Sequence, residues 1–142
     1  MDNHFELRSI ILSILSKLTI IKSYDFGVRC FNTLKDLMVA GKELEAQVME
    51  QLQKEVIRKL DQRNPEDIPV SLLIGLRELV EKSHQTELLS ILFETCFPNW
   101  LKDLREHIVT KKKQSQTFAE AEHYNAIIAL LAASVKENDK NV

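Results

Sequence analysis

Glycine, proline and cysteine are all scarce in this chain. Three glycines and three prolines in 142 residues leave little material for tight β turns, while apolar residues recur at intervals of three and four nearly throughout. An almost wholly α-helical protein is expected. Cys30 and Cys96 lie inside apolar helical patterns, away from any close-spaced Cys or His cluster. That argues against a disulfide framework or a zinc site and for buried free thiols in a reducing compartment. No sign of charge dominates: the net charge is −2, with nine basic and eight acidic residues in 1–60 and ten and thirteen in 61–142. Neither half is built to attract a polyanion or a polycation.

Long apolar runs are also missing. The opening stretch MDNHFELRSIILSILSKLTII carries Asp2, Glu6 and Arg8 in place of a basic start, and no small-residue cleavage site follows it. Lys17 interrupts a run already too short to span a bilayer. It reads as the deeply buried first helix of a cytoplasmic chain with no membrane span. There is no glycine-rich phosphate loop, no strand-turn-helix nucleophile elbow and no nucleophilic cysteine beside a histidine. No catalytic residue, metal ligand or cofactor is therefore assigned.

What is present fits one soluble domain, at 44% hydrophobic and 28% charged residues. The periodicity predicts seven helices, over about 3–20, 24–39, 42–61, 68–83, 86–96, 98–112 and 118–137, with the last residues, 137–142, frayed. Ser23 caps the second, and Gly41 ends it in the left-handed conformation that suits glycine. Leu44, Val48, Leu52, Val56 and Leu60 form one apolar line on the third. Asn64-Pro65-Glu66-Asp67 breaks the chain, Pro69 falls in the first turn of the fourth helix, and Pro98 opens the sixth. Thr117 and Glu120 have capping-box spacing before the seventh. The narrow stripe of Ser9, Ser13 and Ser16 on the first helix would admit a close neighbour.

A repeat runs through these elements. Residues 28–38, VRCFNTLKDLM, align without a gap on 70–80, VSLLIGLRELV, at an offset of 42. Lys35-Asp36 falls on Arg77-Glu78, and Leu101-Lys102-Asp103-Leu104 repeats the Leu-base-acid-Leu core once more. The odd-numbered helices share no obvious signature. A period near 42 is that of stacked helix pairs, so the expected fold is a short α-solenoid with a HEAT or armadillo-like layout, the alternative being a compact helical bundle.

Several residues invite a functional reading. Arg77 and His84, with six residues between them, resemble the Arg and His spacing of HEPN ribonuclease domains. In such a site the His would act as general acid or base while the Arg holds the phosphate. Here, however, Glu78 and Glu81 would stand beside a polyanionic substrate, and Glu81 is placed to pair with Arg77 one turn away. Glu81-x-x-His84 and Glu120-x-x-His123 have the spacing of di-metal helical bundles, but Glu81 and His84 lie at the end of a short helix and Glu120 is explained by the cap. Phe97 and Trp100 sit at an aromatic corner; Lys102, Arg105 and His107, followed by Lys111-Lys112-Lys113, make the one concentration of positive charge. Asp103 and Glu106 interrupt it, and no aromatic stacking pattern follows, so an acidic protein partner suits it better than nucleic acid.

The expected function is therefore a protein–protein interaction module, an adaptor, scaffold piece or inhibitor, contacting its partner through Phe97, Trp100, Lys102, Arg105, Lys35 and Arg77. The metal-independent HEPN-like ribonuclease using Arg77 and His84 is the alternative. The first and last helices carry enough apolar surface to support a homodimer through the chain ends.

Overall fold

The computed structural model describes residues 3–60, 67–83, 86–111 and 118–140. The fold is all-α, with six helices and no strand among the described residues: α1 (Asn3–Leu18), α2 (Tyr24–Ala40), α3 (42–60), α4 (Val70–Ser83), α5 (86–111) and α6 (Phe118–Lys140). Ser23 caps α2 as expected, its side chain accepting from the Phe26 N–H at 3.3 Å. Gly41 departs from expectation. It takes extended backbone at φ 175° and ψ 157°, open to any residue, and its carbonyl accepts the Glu45 N–H at 3.0 Å as α3 begins. The last helix continues through Lys140 where fraying was expected, with Glu137 enclosed beside it.

Six helices replace the expected seven because Pro98 does not start one. Residues 86–111 form a continuous helix with a single π turn at Leu92–Cys96, in which the Phe97 N–H reaches back five residues to the Leu92 carbonyl. A proline in a regular helix lacks the N–H for its bond and crowds the carbonyl four residues back. The widened turn just before Pro98 is where the chain absorbs that misfit. A second π turn interrupts α3 at Gln53–Ile57. It re-phases the helix so that Val56 and Ile57 both face inward, like Val48 and Met49 two turns earlier. The two π turns are neighbours in the core, and the Cys96 thiol donates to the Ile57 carbonyl at 3.5 Å. That carbonyl lies in the last turn of α3. Cys96 is thus buried as predicted, whereas Cys30 is only half-buried.

The apolar line on α3 is confirmed at Val48, Leu52, Val56 and Leu60, with Leu44 half-buried at its start. Burial also reveals a signature in the odd-numbered elements that residue identity conceals. At an offset of 40, Val48, Met49, Leu52, Val56, Ile57 and Leu60 on α3 correspond to Leu88, Leu89, Leu92, Cys96, Phe97 and Trp100 on α5, and every one of the twelve is buried. The burial pattern of α3 thus matches that of residues 88–100 on α5. Helix α2 packs on α3 and on α4, α4 packs on α6, α3 meets α5 through their π turns, and α1 lies against α2 and α3.

The α2–α4 contact is close because each helix offers a glycine to a side chain of the other. A Cβ on Gly27 would collide with the Ser71 side chain, and one on Gly75 would lie 2.5 Å from ring carbons of Phe31. The first helix, by contrast, is less buried than its hydropathy predicts. Ile11, Leu15 and Leu18 enter the core, but Ile10 and, just past the helix, Ile20 are 52% and 71% exposed, and Ser9, Ser13 and Ser16 are exposed.

Candidate functional site

The first surface to test is the predicted one. Phe97 and Trp100 do not belong to it: they are 2% and 0% exposed, and a partner cannot touch them. Their rings fill the corner beside the π turn of α5, with Phe93 edge-on to Phe97 at 5.1 Å and Trp100 tilted against Phe97 at 5.8 Å. Bulk and apolar surface favour burial over exposure here, even though the Trp100 indole N–H finds no hydrogen-bond partner.

The expected charge ladder is partly internal. Lys35 on α2 bridges to Glu78 on α4 at 2.5 Å, so the base of one copy of the repeat pairs with the acid of the next. That hydrogen bond holds the Glu78 carboxyl below its usual range; partial burial opposes the effect, and the positive charges of Lys35, Lys82 and Arg77 add to it. Arg77 lies 3.9 Å from Glu81 one turn on, an ion-pair distance too long for a hydrogen bond. In the third copy, Asp103 instead accepts from the Tyr124 hydroxyl of α6 at 3.2 Å.

The third copy also turns outward. Leu34 and Leu76, which open the first two copies, are 2% and 0% exposed, whereas Leu101 is 47% exposed. Lys102 and Arg105 flank it on the solvent side of α5. The buried line of α5 runs through Cys96, Phe97 and Trp100 to the half-buried Leu104, and Leu101 lies at its edge, open to solvent.

The other chemical readings gain little. His84 and Thr117 lie outside the described residues. His123 is buried, and its Nε2 donates to the Ile68 carbonyl at 3.0 Å, tying α6 to the segment that leads into α4. Among the described residues no group of three or more His, Cys, Asp or Glu side chains could hold a metal ion, and no helix is long and apolar enough to cross a membrane.

A feature that the sequence pattern does not announce is the open seam between α1 and α3. A cleft of about 440 Å³ is lined by Leu12 and Ser16 from α1, by Thr19 just after it, and by Glu55, Val56, Lys59 and Leu60 from α3. Beside it on the same two helices, a cleft of about 230 Å³ is lined by Arg8, Ile11, Gln47, Glu50 and Gln51. Ser16 and Thr19 donate back to their own helix, to the Ser13 and Ser16 carbonyls at 2.8 and 2.9 Å. Across the larger cleft, Lys59 pairs with Glu55 at 3.2 Å. Gln51 is 5% exposed, and its Oε1 accepts no hydrogen bond. The serine stripe was the available signal, but small residues on a helix face fit a close neighbour as well as an open cleft.

No family model, no curated protein and no solved structure matches the chain.

Proposed function

We propose that this chain is a protein–protein interaction module, an adaptor, scaffold piece or inhibitor, whose contact surface centres on Leu101, Lys102 and Arg105 of α5. The observation that carries this reading is the exposure of Leu101 at a repeat position whose two equivalents are buried. An apolar side chain between two cations offers a partner both desolvation and charge steering, and it suits an apolar residue with an acidic neighbour. Phe97 and Trp100 contribute from behind by fixing the helix that presents the patch. Lys35 and Arg77 belong to the reading as the half-buried edge of the α2–α4 face. The contacts of α2 with α4 and of α3 with α5 support a stacked-hairpin layout for the scaffold.

The double variant Leu101→Gln with Arg105→Glu tests it. Both positions are exposed and both replacements are good helix formers, so helical content and melting should be unchanged. Affinity capture from cell extract, quantified by mass spectrometry beside the unaltered chain, should lose the specific partner. An identical set of captured proteins would overturn the assignment.

A further inference from the structure

Three large apolar side chains stand exposed within residues 20–26, where α1 turns into α2: Ile20 at 71%, Tyr24 at 49% and Phe26 at 48%. No other stretch of that length among the described residues exposes more than one. The turn that carries them is well held. The Ile20 and Ile21 N–H groups both donate to the Lys17 carbonyl, at 3.1 and 2.9 Å, and Ser23 caps α2. The Ile21 side chain packs beside Gly27, 3.6 Å from where a Cβ would stand, while its neighbour Ile20 is left in solvent.

Charge in the same stretch is one-sided. Residues 17–29 hold three bases, Lys17, Lys22 and Arg29, against one acid, Asp25, a net +2 within a chain of net −2. All three cations are exposed, and none has an ion-pair partner among the described residues. Arg29 lies one turn of α2 from Phe26, Lys17 is tied to Ile20 through the turn, and Lys22 stands between Ile20 and Tyr24 in the chain. On the neighbouring end of α3, reached from Thr19 across the larger cleft, Lys59 and Glu55 neutralise each other and Arg58 is exposed.

We propose that the α1–α2 turn docks on an anionic lipid bilayer. Ile20 and Phe26 enter the acyl boundary, Tyr24 sits at headgroup level, and Lys17, Lys22 and Arg29 meet the anionic headgroups. The charge selects this occupant: an apolar patch alone would suit a protein equally well, whereas apolar and aromatic side chains beside unpaired cations match the layers of a membrane interface. Among the described residues no helix is long and apolar enough to cross a membrane, so the contact is peripheral and reversible. The turn shares no residue with the α5 patch, and either proposal can fail without the other.

The test is cosedimentation of the full chain with vesicles of phosphatidylcholine alone and of a roughly two-to-one mixture of phosphatidylcholine and phosphatidylserine. Binding to the mixed vesicles and not to the neutral ones is expected, falling as salt rises. Ile20→Ser should weaken it about tenfold, and Lys22→Gln about fivefold. Both positions are exposed, so helical content and melting should be unchanged in either variant. Phe26→Trp reads entry of the turn separately: its indole emission should shift to the blue on the mixed vesicles, against a constant background from the fully buried Trp100. No sedimentation with the mixed vesicles, equal binding to the neutral ones, undiminished binding of Ile20→Ser or an unshifted Phe26→Trp emission would overturn the proposal and leave the face to a protein partner.

Discussion

Along the α2–α4 seam Gly27 makes room for Ser71, Gly75 makes room for Phe31, and Lys35 closes the edge on Glu78; along the α1–α3 seam Ser16, Thr19 and Arg8 face Gln47, Gln51 and Glu55, and two clefts remain between them. Both seams join pairs of α-helices. In the first, each glycine is met by a side chain of the facing helix, Ser71 at Gly27 and Phe31 at Gly75, and the space a Cβ would need is already filled. In the second, Ser16, Thr19 and Arg8 meet Gln47, Gln51 and Glu55 beside apolar residues, and no side chain fills the space between the two helices. A small residue on a helix thus has no fixed consequence: it permits close packing only when its neighbour supplies the missing volume.

Variants of the filled seams should have the largest effects. Trp100→Ala, removing a fully buried ring where α3 and α5 meet, should cost about 3–5 kcal/mol in denaturant unfolding. A cost near that of a surface substitution would mean that this part of the core is not closed. Gly75→Ala comes next. On an open helix face the change would stabilise through propensity, but here the new methyl meets the Phe31 ring, and a loss of about 1–3 kcal/mol is expected. An increase in stability would show the α2–α4 contact to be looser than described.

The Lys35–Glu78 pair gives a smaller, pH-dependent effect. The folded-state pKa of Glu78 is lowered, chiefly by the hydrogen bond from Lys35. The pair therefore contributes stability that is fully present above the unfolded carboxyl pKa, near 4.5, and is lost as pH falls through the lower folded value. Melting followed across the acid range should show a shallower loss of stability in Lys35→Met than in the unaltered chain. Because both side chains are about one-third exposed, the difference should be small and should shrink in salt. Identical pH profiles would remove the pair from the account. Smallest of all, Leu101→Gln with Arg105→Glu on the outward-turned third copy should change stability by no more than about 0.5 kcal/mol; a larger loss in thermal unfolding would place Leu101 in the packing.

The periodicity of apolar residues was enough to read the helical class, most helix boundaries, the Ser23 cap and the buried line from Val48 to Leu60. The sequence similarity of α2 and α4 was visible because the aligned residues are of similar size. The matching burial pattern on α3 and α5 was hidden: Val56, Ile57 and Leu60 correspond to Cys96, Phe97 and Trp100, which share burial but neither size nor chemistry. Pro98 misled because a proline that opens a helix and one that follows a π turn look alike in sequence; the difference lies in which carbonyl the preceding N–H reaches. The exposure of Trp100 was likewise illegible, since an aromatic corner serves a core or an interface equally well. The clefts escaped notice because they arise from the spacing of two helices that are not adjacent in the chain.

The contrast between filled and open seams is tested most directly by the melting temperature of Gln51→Leu. If the Gln51 oxygen is buried without a partner, replacing the carboxamide with an apolar group of similar size should stabilise the fold by about 1 kcal/mol, a rise of about 3–5 °C for a domain of this size. A fall of similar magnitude would contradict the account, because it would mean that the carboxamide is already satisfied within a closed α1–α3 seam.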